Sequence, residues 1–116
     1  MVSLNKIIQA KITIGHFVNK TPFALSAKLS KILGANVYLK EENLQRTGAY
    51  KIRGAYNKIA SLSEEERKRG VVAASAGNHA QGVAISAKEF GVHACIVIPE
   101  STPLLKVAGT KDLGAE

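Results

Sequence analysis

The sequence predicts an α/β fold organised around a parallel sheet, and three observations carry that prediction. Val71–Ala74 and Ala94–Ile98 are continuous apolar runs of strand length, the composition of parallel strands covered on both faces rather than the alternation of a half-solvated strand. Between them, His79 to Phe90 places Ala80, Val83, Ala84, Ala87 and Phe90 on one helical face, with Gly91 as the stop. Residues 71–98 therefore read strand, helix, strand, and such a crossover is right-handed and places the chain in the α/β class.

The other elements follow in order. Ser3 is a plausible N-cap for a first helix that carries Leu4, Ile7 and Ile8 on one face. Gly15 to Lys20 reads as a loop leading into Thr21-Pro22, and Ser26 to Leu33 as a short helix ended by Gly34. Val37 to Lys40 reads as a short strand, and Glu41 to Gly48 as a polar connection. Next comes the clearest helix of the chain: Ile52, Ala55, Tyr56 and Ile59 recur at i, i+3, i+4 and i+7 and form a core-facing stripe. Ser63 and Glu66 make a capping-box pattern for a short charged helix that Gly70 ends. Leu104 to Asp112 reads as a last helix, after Pro99 has closed the second strand.

Bulk properties narrow the function classes. The 116 residues suffice for one modest core, and no apolar run reaches the roughly 20 residues that a bilayer requires. The first residues lack the pattern of a signal peptide. Cys95 has no second cysteine to pair with, which fits a reducing, cytoplasmic setting. The formal charge of +7 invites a nucleic-acid reading. However, the basic residues are interspersed with acids, as in Glu64-Glu65-Glu66-Arg67-Lys68-Arg69, and no basic stripe alternates with aromatics. Neither a nucleic acid nor a membrane is the expected partner.

Two segments could carry chemistry. In Thr47-Gly48-Ala49-Tyr50-Lys51-Ile52-Arg53-Gly54-Ala55 a glycine, a small residue and an aromatic lead into a lysine at the start of the amphipathic helix. The positive helix end disfavours a protonated amine there, and burial would act in the same direction. A neutral amine is what Schiff-base chemistry needs; the plain alternative is a solvated lysine. In Ala74-Ser75-Ala76-Gly77-Asn78-His79-Ala80-Gln81-Gly82 small residues join a parallel-type strand to a helix, the place where open α/β sheets bind ligands and where an anion can approach backbone N–H groups. Asn78 could instead serve as an N-cap, and His79 could act as a base or merely cap or pack. The segment is neither a dinucleotide fingerprint nor a P-loop. No metal-ligand spacing is present, and Cys95 beside His93 reads as a core cysteine.

Together the two segments resemble the tryptophan-synthase-β-like enzymes of pyridoxal phosphate fold type II. The run Lys40 to Ala55 is similar to their threonine and serine dehydratase branch, and Ser75 to Gly82, Thr21-Pro22 and Pro99 to Lys106 agree with it. The resemblance implies a three-layer parallel-sheet fold, only partly contained in these residues and incomplete at the C-terminus. Residues 1–48 would belong to the large domain and 49–116 to the start of the small one. It implies pyridoxal 5′-phosphate as cofactor, with Lys51 forming the Schiff base and later taking the α-proton, and with Tyr50 and Asn78 also at the cofactor. It further implies that Ser75, Ala76, Gly77, Asn78 and His79 hold the carboxylate of an amino-acid substrate. The implied reaction is conversion of L-threonine to 2-oxobutanoate and ammonia; a serine dehydratase, a serine racemase and a non-catalytic self-associating module are the alternatives. A homo-oligomer is expected. Tyr50 and Ala49 replace the phenylalanine and serine usual in the family, so any hydrogen bond of that serine is missing. The family's phosphate loop and the residue facing the pyridine nitrogen lie beyond the position of Glu116, so residues 1–116 alone are expected to bind the cofactor weakly or not at all.

Overall fold

A computed structural model describes residues 1–116. The helices are α1 (Leu4–Ile14), α2 (Ala27–Leu33), α3 (Lys51–Ala60), α4 (Glu64–Lys68), α5 (Asn78–Glu89) and α6 (Leu104–Asp112). The strands are β1 (Phe23–Leu25), β2 (Tyr38–Lys40), β3 (Val71–Ala74) and β4 (Ala94–Val97), and one 3₁₀ turn spans Glu42–Leu44. β3 and β4 pair in parallel, Val71 opposite Ala94 and Ala73 opposite Ile96, with α5 as the crossover. The chain end extends this sheet: Glu116 donates its N–H to Ala94 O at 3.0 Å and accepts from Ile96 N–H at 2.7 Å.

The stripe at 52, 55, 56 and 59 is buried throughout, but it serves two cores. Ala55 and Ile59 join Ala80, Val83, Ala84 and Ala87 of α5 and Ala94 and Ile96 of β4. Ile52 and Tyr56 instead meet Ile14 and Phe17. Tyr56 stacks on Phe17 with centroids 4.2 Å apart, and its hydroxyl lies 2.8 Å from His16 Nε2. Burial raises the Tyr56 pKa, as does the nearby Glu89, while Arg67 opposes. α3 thus joins the N-terminal segment to α5, the helix on which the parallel sheet rests. The capping box of α4 forms as expected, Ser63 Oγ accepting from Glu66 N–H at 3.2 Å and Glu66 Oε2 from Ser63 N–H at 2.7 Å.

Three expectations need correction. Phe23–Leu25, not anticipated as a strand, pairs antiparallel with β2 in a separate two-stranded sheet. The expected face of α1 is not packed: Leu4, Ile7 and Ile8 are exposed because the helix touches α3 mainly through its last residue, Ile14. The parallel strands are covered on one face only. Val71, Ala73, Ala94 and Ile96 turn toward α5, whereas Val72 and Val97 lie open on the other side.

A polar knot joins the N-terminal segment to α3. Arg53 donates from Nε to Glu42 Oε2 at 2.8 Å and from Nη2 to Oε1 at 2.7 Å, and Thr21 Oγ1 donates to Glu42 Oε1 at 2.6 Å. These groups, the Arg53 hydrogen bond foremost, hold the Glu42 pKa down at about 2 against the opposing effect of burial. A carboxylate with a depressed folded-state pKa stabilises the fold fully above its unfolded value, and that contribution is lost as pH falls through the folded value. The expected result is a loss of about 2 kcal/mol between roughly pH 4.5 and pH 2, measured as the difference in urea unfolding between the wild type and Glu42→Gln. Equal acid sensitivity of the two proteins would contradict it.

Candidate active site

Lys51 is the first residue of α3, and the turn before it is tightly determined. Gly48 adopts φ +67°, where a side chain would be strained, and donates its N–H to Gln45 O at 2.8 Å. Gln45 is buried and exchanges side-chain hydrogen bonds with the backbone of Asn19, accepting at 2.8 Å and donating at 3.0 Å. Arg46 donates to Phe17 O at 3.2 Å and sits over the Phe17 ring. The sequence of Glu41 to Gly48 predicts only a polar connection. Its polar residues in fact fasten the turn that delivers Lys51, and the only hint was their density between a strand and a helix.

The lysine itself is exposed, so the desolvation expected from the sequence is not supplied by these residues. Its amine makes no hydrogen bond or ion pair, and Nζ lies 5.5 Å from the centroid of the exposed Tyr50 ring, within cation–π range.

The second segment emerges from β3. Ser75 N–H donates to Val97 O at 3.0 Å, prolonging the parallel ladder, and Ser75 Oγ accepts from Gly77 N–H at 3.3 Å. Ser75, Ala76 and Gly77 are half-buried; Asn78 and His79 are exposed. Gly77 occupies the N-cap position, and no side chain caps α5. Asn78 is therefore the first helical residue rather than the cap, and its amide is free. The helix start leaves N–H donors without intrahelical partners. A cavity of about 440 Å³ opens at the strand ends between Ala74–Ala76 and Val97–Pro99. His79 instead borders a separate groove of about 410 Å³ shared with Gly54, Ala55 and Val83.

α5 brings the two segments together. Gly82 lies against the backbone of Lys51 and Ile52, and it shares a face of α5 with Asn78, one turn earlier and about 6 Å along the axis. A free amine and a free carboxamide thus head two packed helices beside a loop of small residues.

A family model described as pyridoxal-phosphate dependent enzyme matches residues 14–116. The chain belongs to this family of pyridoxal-phosphate-dependent enzymes. Over its full length it is 59% identical to the L-threonine ammonia-lyase of Thermotoga maritima, of which it covers 29%. Among solved structures, serine racemase from Dictyostelium discoideum matches with TM-score 0.93 and 39% identity, over 98% of this chain and 38% of that one. The processed form of threonine deaminase isoform 2 from Solanum lycopersicum matches with TM-score 0.83 and 39% identity, over 98% of this chain and 33% of that one. The chain thus spans about a third of the length of these relatives. The α/β fold of pyridoxal phosphate fold type II is the one it shares with them. No helix is long and apolar enough to cross a membrane.

The residues present suit the family's cofactor. An aldehyde calls for an unengaged primary amine, and Lys51 offers one at a determined backbone position. A phenolic oxygen calls for a hydrogen-bond donor, and the uncapped start of α5 leaves the Asn78 amide available.

Proposed function

We propose that the protein carrying this chain is a pyridoxal-phosphate-dependent ammonia-lyase that converts L-threonine to 2-oxobutanoate and ammonia. The observation that carries this reading is the free Lys51 amine at the start of α3, packed on the α5 face headed by Asn78. The 59% identity to an L-threonine ammonia-lyase supports the choice of reaction.

In this reading Lys51 holds the cofactor and then removes the proton from the substrate Cα. Asn78 would offer its amide N–H to an oxygen of the cofactor ring, and Tyr50 would offer the ring an aromatic face. Ser75, Ala76, Gly77, Asn78 and His79 bind the substrate carboxylate with N–H and side-chain donors, orienting the Cα–H bond toward Lys51. When bound, pyridoxal phosphate supplies an electron sink for the carbanion that deprotonation creates. We assign residues 1–48 to the large domain and 49–116 to the small one, in keeping with the separate sheets β1–β2 and β3–β4. A cytoplasmic homo-oligomer completes the reading; the unpaired Cys95 and the exposed Val72 and Val97 are consistent with it.

A serine-directed enzyme is the second reading, favoured by the match to serine racemase. Keto-acid and ammonia release from threonine and serine, together with chiral analysis of remaining serine, tests both. Faster keto-acid formation from threonine is expected. D-serine as the main product selects the second reading, and inertness toward both amino acids defeats both readings.

A further inference from the structure

We propose that Gly82 is a positioning residue for Lys51: its lack of a side chain lets α3 dock on α5 so that the lysine is presented beside Asn78. The inference rests on the function proposed above for Lys51 and extends it to a residue that touches neither cofactor nor substrate.

Glycine in a helix interior weakens the helix by about 1 kcal/mol relative to alanine. Gly82 has no left-handed conformation to explain its presence, since its φ is not positive. What it provides is room. A Cβ at position 82 would stand 3.1 Å from Ile52 N, 3.2 Å from Ile52 Cα and 3.2 Å from the Lys51 carbonyl carbon. All three are backbone atoms, which cannot swing aside as a side-chain tip can.

Neither helix can retreat freely. α3 is held by Ile52, which is fully buried in a cluster with Ile14, Phe17 and Tyr56, and by the Arg53–Glu42 ion pair. α5 is held by Ala80, Val83, Ala84 and Ala87 in the larger core. Within α5, the fully buried Ser86 hydroxyl donates to Gly82 O at 2.6 Å. A side chain at 82 therefore pushes at the very start of α3, and Lys51, exposed and unsupported on its outer side, moves relative to Asn78. Because the carboxylate-binding loop precedes Gly82, such a shift misplaces the base more than it disturbs substrate binding. A misplacement approaching 1 Å lowers rate by up to about a hundredfold.

The test compares Gly82→Ala and Gly82→Val with wild type in the full-length protein, with Val83→Ala as a control that weakens the larger core without touching Lys51. The expected result is a graded fall in kcat, about threefold for alanine and more than about tenfold for valine, with KM for threonine changed by less than about twofold. Val83→Ala should lower thermal stability yet keep kcat. Unchanged kcat in the alanine and valine variants, or an equal fall in the control, overturns the proposal. If valine prevents folding, the alanine variant decides. If the wild type shows neither turnover nor a lysine-linked cofactor absorbance, the proposed function fails. The position of Lys51 Cα relative to Asn78 Cα in crystals of wild type and Gly82→Ala then decides separately: a displacement supports the inference, and coincidence refutes it.

Discussion

Replacing Lys51 with alanine in the full-length protein should lower threonine turnover by at least about a thousandfold. The proposed roles of this one amine, cofactor attachment and proton abstraction, each contribute orders of magnitude. The same substitution should remove the absorbance of the lysine-linked cofactor. It should leave unfolding free energy within about 0.5 kcal/mol of wild type, because an exposed side chain without a hydrogen bond or ion pair contributes little to the fold. Lys51→Arg should be as inactive as the alanine variant, since a guanidinium keeps its charge but cannot give up a proton to become a nucleophile or base. Absorbance spectra, steady-state rates and urea unfolding curves check the three parts. Turnover above about a tenth of wild type in the alanine variant would falsify the assignment of Lys51.

The helix start that carries Lys51 is legible in the sequence because its signals are local. The residues preceding Lys51 and the periodic stripe that follows it are contiguous, and a 3.6-residue period survives in any context that buries one helix face. For the same reason the Ser63–Glu66 capping box formed as read. What the sequence concealed is non-local. Phe23–Leu25 is too short to show a strand period and exists because β2 lies opposite it. Leu4, Ile7 and Ile8 look like a core face, but burial depends on what lies across from them, and only Ile14 of α1 reaches the buried cluster. Val72 and Val97 read as doubly covered strand residues, yet only the α5 side of the sheet is covered within these residues. In the candidate site, the placement of Lys51 at a helix start and of a small-residue loop between strand and helix could be read directly. The anchoring by Gln45, Arg46 and Asn19 could not, and neither could the reason for Gly82, which is the backbone of another helix.

Ile52 is where the stability of the chain and the placement of its lysine meet, so Ile52→Ala should impair both folding and activity. The side chain is completely buried, at 0% exposure, and packs with Ile14, Phe17 and Tyr56. Truncating a fully buried isoleucine removes its transfer free energy and leaves a cavity, together about 3 kcal/mol. The neighbours cannot collapse readily into the space. Tyr56 is held by stacking on Phe17 and by its contact with His16, and the α3 backbone is held off α5 by its contact with Gly82. Ile59→Ala should cost a comparable amount, because Ile59 is equally central to the larger core. The two variants should differ in activity, however. Ile59 lies two turns from Lys51, whereas Ile52 is its neighbour and holds the start of α3 in place, so only Ile52→Ala should also lower kcat under conditions where both proteins are folded. Combining Ile52→Ala with Phe17→Ala should destabilise by less than the sum of the single changes, since the two side chains share one cluster. A loss below about 1 kcal/mol for Ile52→Ala would mean that the cluster does not fix α3, and the route by which the fold positions Lys51 would have to run through the Arg53–Glu42 pair instead.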